Sequence, residues 1–262
     1  MNKHIEPLDE RGIRAAAGEH CPAEIIILDE TGSVMDDAAE LAARGRSHGT
    51  VIVAEEQKAG RGRHGRTWES TRSLGLYIAV ILDENISGDP SSLMSLICGL
   101  AVCETVRGAS VPEAGVKWPN DVLAGERKIA GILVSKKPAD GVYIVGVGIN
   151  VHHRKDDFTP ELQGKATSIY LETGSDVSRN EVAGSLVRNL FEKNSAFINE
   201  GPLPVIEEYR GLCSILGEQI EITEADGVFK GIAEDIAADG ALLVRIGSEI
   251  KAFYSGDVSI KR

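Results

Sequence analysis

The residues best suited to chemistry lie between Gln57 and Trp68, in the stretch QKAGRGRHGRTW. Three glycines (Gly60, Gly62, Gly65) alternate with three arginines (Arg61, Arg63, Arg66), Lys58 adds a further cation, and no acid falls between Gln57 and Thr67. Glycine lets a backbone approach a ligand closely and turn through positive φ. Successive exposed N–H groups in such turns form a concavity that binds anions. Arginine supplies a planar, permanently charged fork suited to phosphate and carboxylate. The combination predicts a loop that wraps a phosphate-bearing ligand. The chain around it is acidic, with a formal net charge of −12 over 262 residues, so this basic island runs against its background.

Two further clusters follow. In Lys117-Trp118-Pro119-Asn120-Asp121, Pro119 fixes φ and removes a donor, which breaks a strand and presents Asn120 and Asp121. Asn can recognise a base or amide edge, and Asp can hold Mg²⁺ or accept a proton. Alone, this segment would read as a capped β-turn. In Lys128-Ile129-Ala130-Gly131-Ile132, a lysine opens an otherwise apolar strand. It either snorkels to solvent or points into a site and steadies developing negative charge.

Gly60, Gly62 and Gly65 also satisfy G-x-G-x-x-G. A dinucleotide fold would need a helix opening at those glycines. Here Trp68 to Ser73 has no helical periodicity, and the next element is the strand LGLYIAVIL. Interleaved arginines fit such a turn poorly, because it holds pyrophosphate mainly through backbone N–H groups. No G-x-x-x-x-G-K-[ST] occurs, and no Ser-His-Asp or Cys-His constellation is apparent. Cations, one metal-capable carboxylate and glycine-lined strands suit nucleotide chemistry performed by positioning and charge stabilisation.

The elements that must position these groups are legible as apolar runs. Glu24 to Leu28, Thr50 to Ala54, Leu74 to Leu82 and Val142 to Val151 read as strands; Val122 to Ala124 and Lys128 to Ser135 read as a hairpin turning at Gly125-Glu126. Ser33 is placed to cap a helix that ends at Gly45. Asp89-Pro90 opens a helix over Ser91 to Arg107. Ser178 and Glu181 form a capping box for a helix to about Asn199, followed by a second from about Pro204 to Cys213. Residues 1–22 are short and mostly polar, and His152 to Lys165 is polar and aperiodic, read as a mobile loop with His152-His153 solvated. After Gly217 the pattern changes to strands near 218–224, 228–236, 241–246 and 250–254 with hairpin signals at Asp226-Gly227, Asp239-Gly240 and Gly247-Ser248. Such short strands packed into under 50 residues predict a small β-barrel, so the chain divides into a catalytic domain at 1–213 and a C-terminal domain at 214–262.

Composition sets the outer limits. At 42% hydrophobic and 26% charged residues, the chain is an ordinary globular one, long enough for a real core. Its acidity disfavours a general nucleic-acid or anionic-membrane binder. No apolar run approaches the length of a membrane span, and the N-terminus lacks a signal-peptide core, so a cytoplasmic location is expected. Cysteines 21, 98, 103 and 213 form no CxxC pair and read as packing residues, and the six histidines show no zinc-type spacing.

GRGRHGRTW, KWPND, KIAGIL and GVGINV, in that order and at these separations, resemble the signatures of the biotin protein ligases (biotin–[acetyl-CoA-carboxylase] ligases) over roughly residues 24–262. The resemblance implies an α+β fold: a mixed sheet with flanking helices, like the class II aminoacyl-tRNA synthetases, plus a small SH3-like C-terminal barrel. It implies that biotin and ATP, with Mg²⁺, give biotinyl-5′-AMP, and that a lysine of a biotin carboxyl carrier protein then takes the biotin. Ser33, Gln57, Gly60, Arg61, Gly62, Arg63, Arg66 and Lys128 would bind the acid and its phosphate. Lys117, Trp118, Asn120 and Asn150 would serve the nucleotide. Lys128, Arg63 and Asp121 would act in catalysis, with Asp121 the Mg²⁺ ligand, and His152 to Lys165 would order over the adenine. A homodimer through an exposed sheet face is a further implication.

One departure stands out. Many family members read Ser-Thr-Asn where this chain has Ser33-Val34-Met35, so a head-group hydroxyl contact is missing. His64, at a position often basic in the family, is a milder change. The 23 residues before the first strand are too few for a winged helix, which predicts a ligase without operator binding and no DNA partner; the acidity and the lack of an apolar span predict no membrane partner. The rivals are a lipoate-type ligase of the same fold, a non-catalytic biotin or adenylate sensor, and a nucleic-acid-binding Arg-Gly loop; turnover, substrate choice and salt dependence separate them.

Overall fold

A computed structural model of the chain describes residues 5–46, 48–83, 91–137, 142–224 and 226–261. β1 (Glu24–Leu28), β2 (Thr50–Ala54), β3 (Gly75–Asp83), β4 (Ala114–Lys117), β5 (Asp121–Ala124), β6 (Arg127–Lys137) and β7 (Val142–Asn150) form one mixed sheet in the order β1-β2-β3-β7-β6-β5-β4. β1 and β2 pair in parallel through the crossover helix α2 (Val34–Ala43); the other neighbours pair antiparallel.

The central strands are buried on both faces. Along β2, Val51 and Val53 enter the large core, while Ile52 and Ala54 pack under α2 with Ala38 and Ala42. β3 divides the same way, with Ile78 and Val80 on one side and Ala79 and Ile81 on the other. Strands covered on both faces lose polar alternation, which is why TVIVA and LGLYIAVIL are unbroken apolar runs. β3 begins at Gly75 and ends at Asp83, one residue later at each end than the apolar run predicts.

The large core is closed by α3 (Ser91–Gly108), α5 (Arg179–Glu200) and α6 (Pro202–Leu212). Ser178 caps α5 by accepting the Glu181 N–H at 3.4 Å. Asp89-Pro90, expected to open α3, lies outside the described residues. A short α4 (Ile169–Thr173) follows the segment after β7. The polar N-terminal stretch holds a helix the sequence reading did not assign, α1 (Glu10–Ala17), capped by Asp9 accepting from Gly12 N. Ile13 and Ala17, four apart, bury against α5, where a Cβ on Gly184 would lie 2.5 Å from the Ile13 carbonyl oxygen.

A buried ion pair ties this segment to the sheet. Arg179 Nη1 donates to Glu55 Oε2 at 2.7 Å, Arg179 Nη2 donates to the Glu6 carbonyl at 3.0 Å, and Leu8 N–H donates to Glu55 Oε1 at 2.7 Å. Burial pushes the Glu55 carboxyl up, but these donors outweigh it and hold it below its ordinary value.

β8 (Gln219–Glu224), β9 (Gly227–Ile236), β10 (Leu242–Ile246), β11 (Glu249–Phe253) and β12 (Asp257–Ile260) make a second, antiparallel sheet in the order β11-β10-β9-β8-β12. The linker and α6 tie it to the first domain: Ser214 N–H, ahead of β8, donates to the Val116 carbonyl of β4 at 2.9 Å, and Arg210 of α6 grips Asp235 of β9 at 2.5 and 2.9 Å. Among the described residues, no helix is long and apolar enough to cross a membrane.

Candidate functional site

A cavity of about 320 Å³ opens on the main sheet between the glycine/arginine loop and the segment after β7. β7 runs along it. Gly146, Gly148 and Asn150 line the cavity two residues apart, so each step advances about 6.6 Å along the strand. The glycines are required by what lies on them. A Cβ on Gly146 would overlap Met35, and one on Gly148 would overlap the Trp68 indole. Across the β6–β7 pairing, a Cβ on Gly131 would sit 2.9 Å from Trp68 Cζ3. The repeated glycines of KIAGIL and GVGINV therefore make a trough for α2 and loop side chains and for a ligand.

The glycine/arginine stretch is a small hairpin. Trp68 N–H donates to the Gly60 carbonyl at 2.9 Å, and Gly62 N–H donates to the Arg66 carbonyl at 2.7 Å. Arg63–Gly65 forms the tip, with His64 at φ +55° and Gly65 at +73°. Gly60 allows the base of the hairpin to close: a Cβ there would meet the Trp68 carbonyl oxygen at 2.5 Å and Ser70 Oγ at 2.7 Å. The loop directs Arg61, Arg63 and Arg66 to the cavity, whereas Lys58 turns to Glu56 and Glu30 at 2.6 and 3.2 Å. Arg61 pairs with Asp36 of α2 at 2.8 Å, Arg63 donates to Asn120 Oδ1 at 3.1 Å and to the Gly256 carbonyl at 3.3 Å, and Arg66 pairs with Asp257. Burial draws the Arg63 guanidinium below its ordinary value.

Opposite the loop, the β5–β6 hairpin presents Asp121 and Lys128. Lys128 Nζ lies 2.6 Å from Asp121 Oδ1 and 5.3 Å from the Trp68 ring centroid. Its backbone is fixed on both sides: Lys128 N–H donates to the Lys165 carbonyl at 2.8 Å and Thr167 N–H to the Lys128 carbonyl at 2.9 Å. Asn120 Nδ2 donates to the Ile132 carbonyl at 2.9 Å, which aims its oxygen at Arg63. Gln57 bridges the loop and α2, accepting from Val34 N at 3.0 Å and donating to Ser70 Oγ at 2.8 Å.

Of the residues singled out in the sequence, Gln57, Arg61, Gly62, Arg63, Arg66, Asn120, Asp121, Lys128 and Asn150 converge on this cavity. Ser33, Gly60, Lys117 and Trp118 do not line it. Ser33 holds the N-cap position of α2, but its side chain makes no capping bond; its Oγ is buried without a partner among the described residues. Trp118 is 1% exposed, and its Nε1 donates to the Gly240 carbonyl at 3.1 Å, so its indole anchors the second sheet. Burial lowers the Lys117 ammonium.

The reading of His152-His153 as a solvated pair is corrected by the structure: they are 7% and 2% exposed. The segment after β7 folds back on the sheet, with Ser168 Oγ donating to the His153 carbonyl at 2.6 Å and the His153 ring stacked on Phe158 at 5.1 Å. Burial pulls His153 down to about 4, so it is neutral at physiological pH. His153, Phe158, Trp68, Met35 and Asp257 also line the cavity; the sequence reading held His153 and Phe158 only as part of a segment ordering over the adenine and Met35 only as a departure, and gave Trp68 and Asp257 no role of their own.

The relatives match this arrangement along nearly the whole chain. The biotin/lipoate A/B protein ligase family matches residues 35–152, and the biotin protein ligase C-terminal domain matches residues 215–261. The biotin–[acetyl-CoA-carboxylase] ligase of Mycobacterium tuberculosis is 34% identical, covering 96% of this chain and 95% of its own. The chain belongs to the biotin/lipoate A/B protein ligase family. Other ligases extend the match. A bifunctional ligase/repressor of Bacillus spizizenii is 30% identical, over 93% of this chain and 74% of its own length. The biotin protein ligase of Aquifex aeolicus, solved with biotin and ATP, superposes with a TM-score of 0.81 at 30% identity, covering 92% of this chain and 99% of that one. The mixed main sheet with its flanking helices and the antiparallel C-terminal sheet are the ligase architecture.

Proposed function

We propose that this chain is a biotin protein ligase that makes biotinyl-5′-AMP from biotin and ATP and passes the biotin to a lysine of a biotin carboxyl carrier protein in the cytoplasm. The observation that carries the reading is that one cavity over β7 combines three kinds of wall: apolar (Val34, Met35, Leu133), cationic (Arg61, Arg63, Arg66, Lys128), and polar and aromatic (Asn150, His153, Phe158). Met35 lies over Gly146, Trp68 over Gly148, and Asn150 follows two residues on. Biotinyl-5′-AMP has three matching parts: an apolar bicycle and chain, an acyl phosphate, a nucleoside.

In this reading, Gln57 and the α2 start hold the head group and the trough over Gly131 and Gly148 takes the chain. The biotin carboxylate, brought to Lys128 and Arg63, forms a bond to the α-phosphorus of ATP as the bond to pyrophosphate breaks. Lys128 and the arginines stabilise charge on the non-bridging oxygens and cost no reorganisation at that moment. Arg66 and Asn120 orient the phosphates, and Asn150 with the His153–Phe158 stack holds the nucleoside. In the second step the carrier's neutral ε-amine attacks the acyl carbon, the acyl–phosphate bond breaks, and AMP departs. The adenylate is a good leaving group, so no enzyme nucleophile is needed.

Mg²⁺ fits beside this site. It is commonly held by one or two carboxylates together with substrate phosphates, and Asp121 offers a carboxylate at the cavity wall with one oxygen on Lys128. When bound, the ion would draw charge from the polyphosphate.

The test is biotin-dependent ATP–pyrophosphate exchange on the purified chain, with lipoate as a parallel control. Exchange with biotin alone is the expected outcome. Exchange with lipoate alone moves the assignment to the lipoate ligases, and biotin binding without exchange makes the chain a sensor.

A further inference from the structure

Two of the three loop arginines are held by the C-terminal sheet. Arg66 pairs with Asp257, the first residue of β12, and Arg63 donates to the carbonyl of Gly256 just before it at 3.3 Å. These contacts join residues 191 and 193 positions apart in the chain. The corner they form is built tightly. Gly256 has φ +136°, and a Cβ there would lie 2.8 Å from Ile222 Cγ1, inside the sheet's own core. Asp257 also lines the main cavity.

The same sheet is fixed at another corner to the segment that carries the other site residues. Trp118 Nε1 donates to the Gly240 carbonyl, and a Cβ on Gly240 would meet Leu93 N of α3 at 3.2 Å. Two residues beyond Trp118, Asn120 supplies the remaining partner of Arg63. The C-terminal sheet thus braces the loop tip against the β4–β5 turn. The acidic charge of Asp257 is also felt by Arg63 and Lys117, where it favours the charged forms.

We propose that Asp257 is a positioning residue for the nucleotide: acting through Arg66, it holds the glycine/arginine loop in the geometry that receives the polyphosphate, so that the C-terminal sheet takes part in ATP binding. This rests on the ligase reading of the cavity. A loop carrying several arginines and three glycines is otherwise entropically costly to order, and a brace that orders it beforehand strengthens binding.

The experiment measures binding of the α,β-methylene analogue of ATP, which cannot release pyrophosphate, to the biotin-saturated full chain by calorimetry. Asp257→Ala is expected to weaken the analogue roughly three- to fivefold, as for an exposed ion pair of about 1 kcal/mol, while the biotin Kd stays within about twofold. Asp257→Glu recovers most of the loss. In an Arg66→Ala background, Asp257→Ala has no further effect, because the partner through which it acts is gone. A general loosening of the fold would move the biotin Kd as well, and that result overturns the proposal. So does an unchanged or tighter nucleotide Kd in Asp257→Ala, or the same loss in the Arg66→Ala background. Exchange assays on the unaltered chain test the ligase reading separately, since the binding measurement needs no turnover.

Discussion

Lys128 and Asp121 face each other across the β5–β6 hairpin with Nζ and Oδ1 2.6 Å apart, inside a cavity wall that also carries Trp68. The carboxylate aims the ammonium along the cavity wall, and the indole 5.3 Å away limits where it can move.

Replacing Lys128 by Met keeps much of the stem and removes the charge. Loss of one preorganised charge donor lowers the rate of acyl-phosphate formation by about 100-fold or more. Pyrophosphate exchange should fall by that factor, with biotin binding changed far less. Equal exchange rates in the two proteins would remove Lys128 from the chemical step.

Gly148→Ala places a methyl group where the Trp68 indole rests. Either the ring or the strand must shift, and the trough for the acid's chain narrows. Biotin affinity is expected to drop by about tenfold or more, the order of an overpacking cost, while the circular dichroism of the protein is retained. Unaltered affinity would show that the chain of the acid does not lie over Gly148.

Val34 is 3% exposed and lines the apolar wall of the cavity. Val34→Thr supplies a hydroxyl in nearly the same shape. A gained hydrogen bond is worth about 0.5–1.5 kcal/mol, so the biotin Kd should fall roughly two- to twelvefold. A weaker Kd would mean that the head group presents no acceptor or donor to this wall.

His153 links stability to pH. Its folded value, about 4, lies below its ordinary value of 6.5, so between those values the unfolded chain binds more protons than the folded one. The full contribution is present above pH 6.5 and is lost as pH falls towards 4. A displacement of this size corresponds to about 3 kcal/mol at most. Urea unfolding at pH 7.5 and 4.5 should show a smaller drop for His153→Phe than for the unaltered protein. Parallel losses in the two would place the acid sensitivity elsewhere.

How far the sequence discloses this molecule depends on the range of each interaction. The strands of the main sheet are legible because burial on both faces leaves them as apolar runs, and the hairpins of the C-terminal sheet because Asp226-Gly227 and Gly247-Ser248 mark their turns. The arginine loop, Asn120, Asp121 and Lys128 are legible because their residue types are costly to place without a partner. α1 escaped notice although Asp9 and the Ile13/Ala17 spacing announce it, since a single helical turn pair is a weak periodic signal. His153 reads as polar and solvated because its burial is created by Phe158 and Ser168, whose folding back has no local pattern. Asp257 carries no signal at all: its partner is on another domain's loop, and one acid among 40 in the chain is anonymous until the sheets are docked.

The Glu55–Arg179 pair has a mechanical side. Glu55 closes the base of the segment that bears Gln57, and the same two side chains clasp the backbone at Glu6 and Leu8. A purification tag or fused protein hung ahead of Glu6 therefore pulls in series with Gln57 and the cavity wall it lines, through that clasp. A fusion past Lys261 pulls instead on β12, the strand that begins at Asp257. Load applied ahead of Glu6 reaches the Gln57 wall of the cavity, whereas load applied past Lys261 reaches the pair of Asp257 and Arg66.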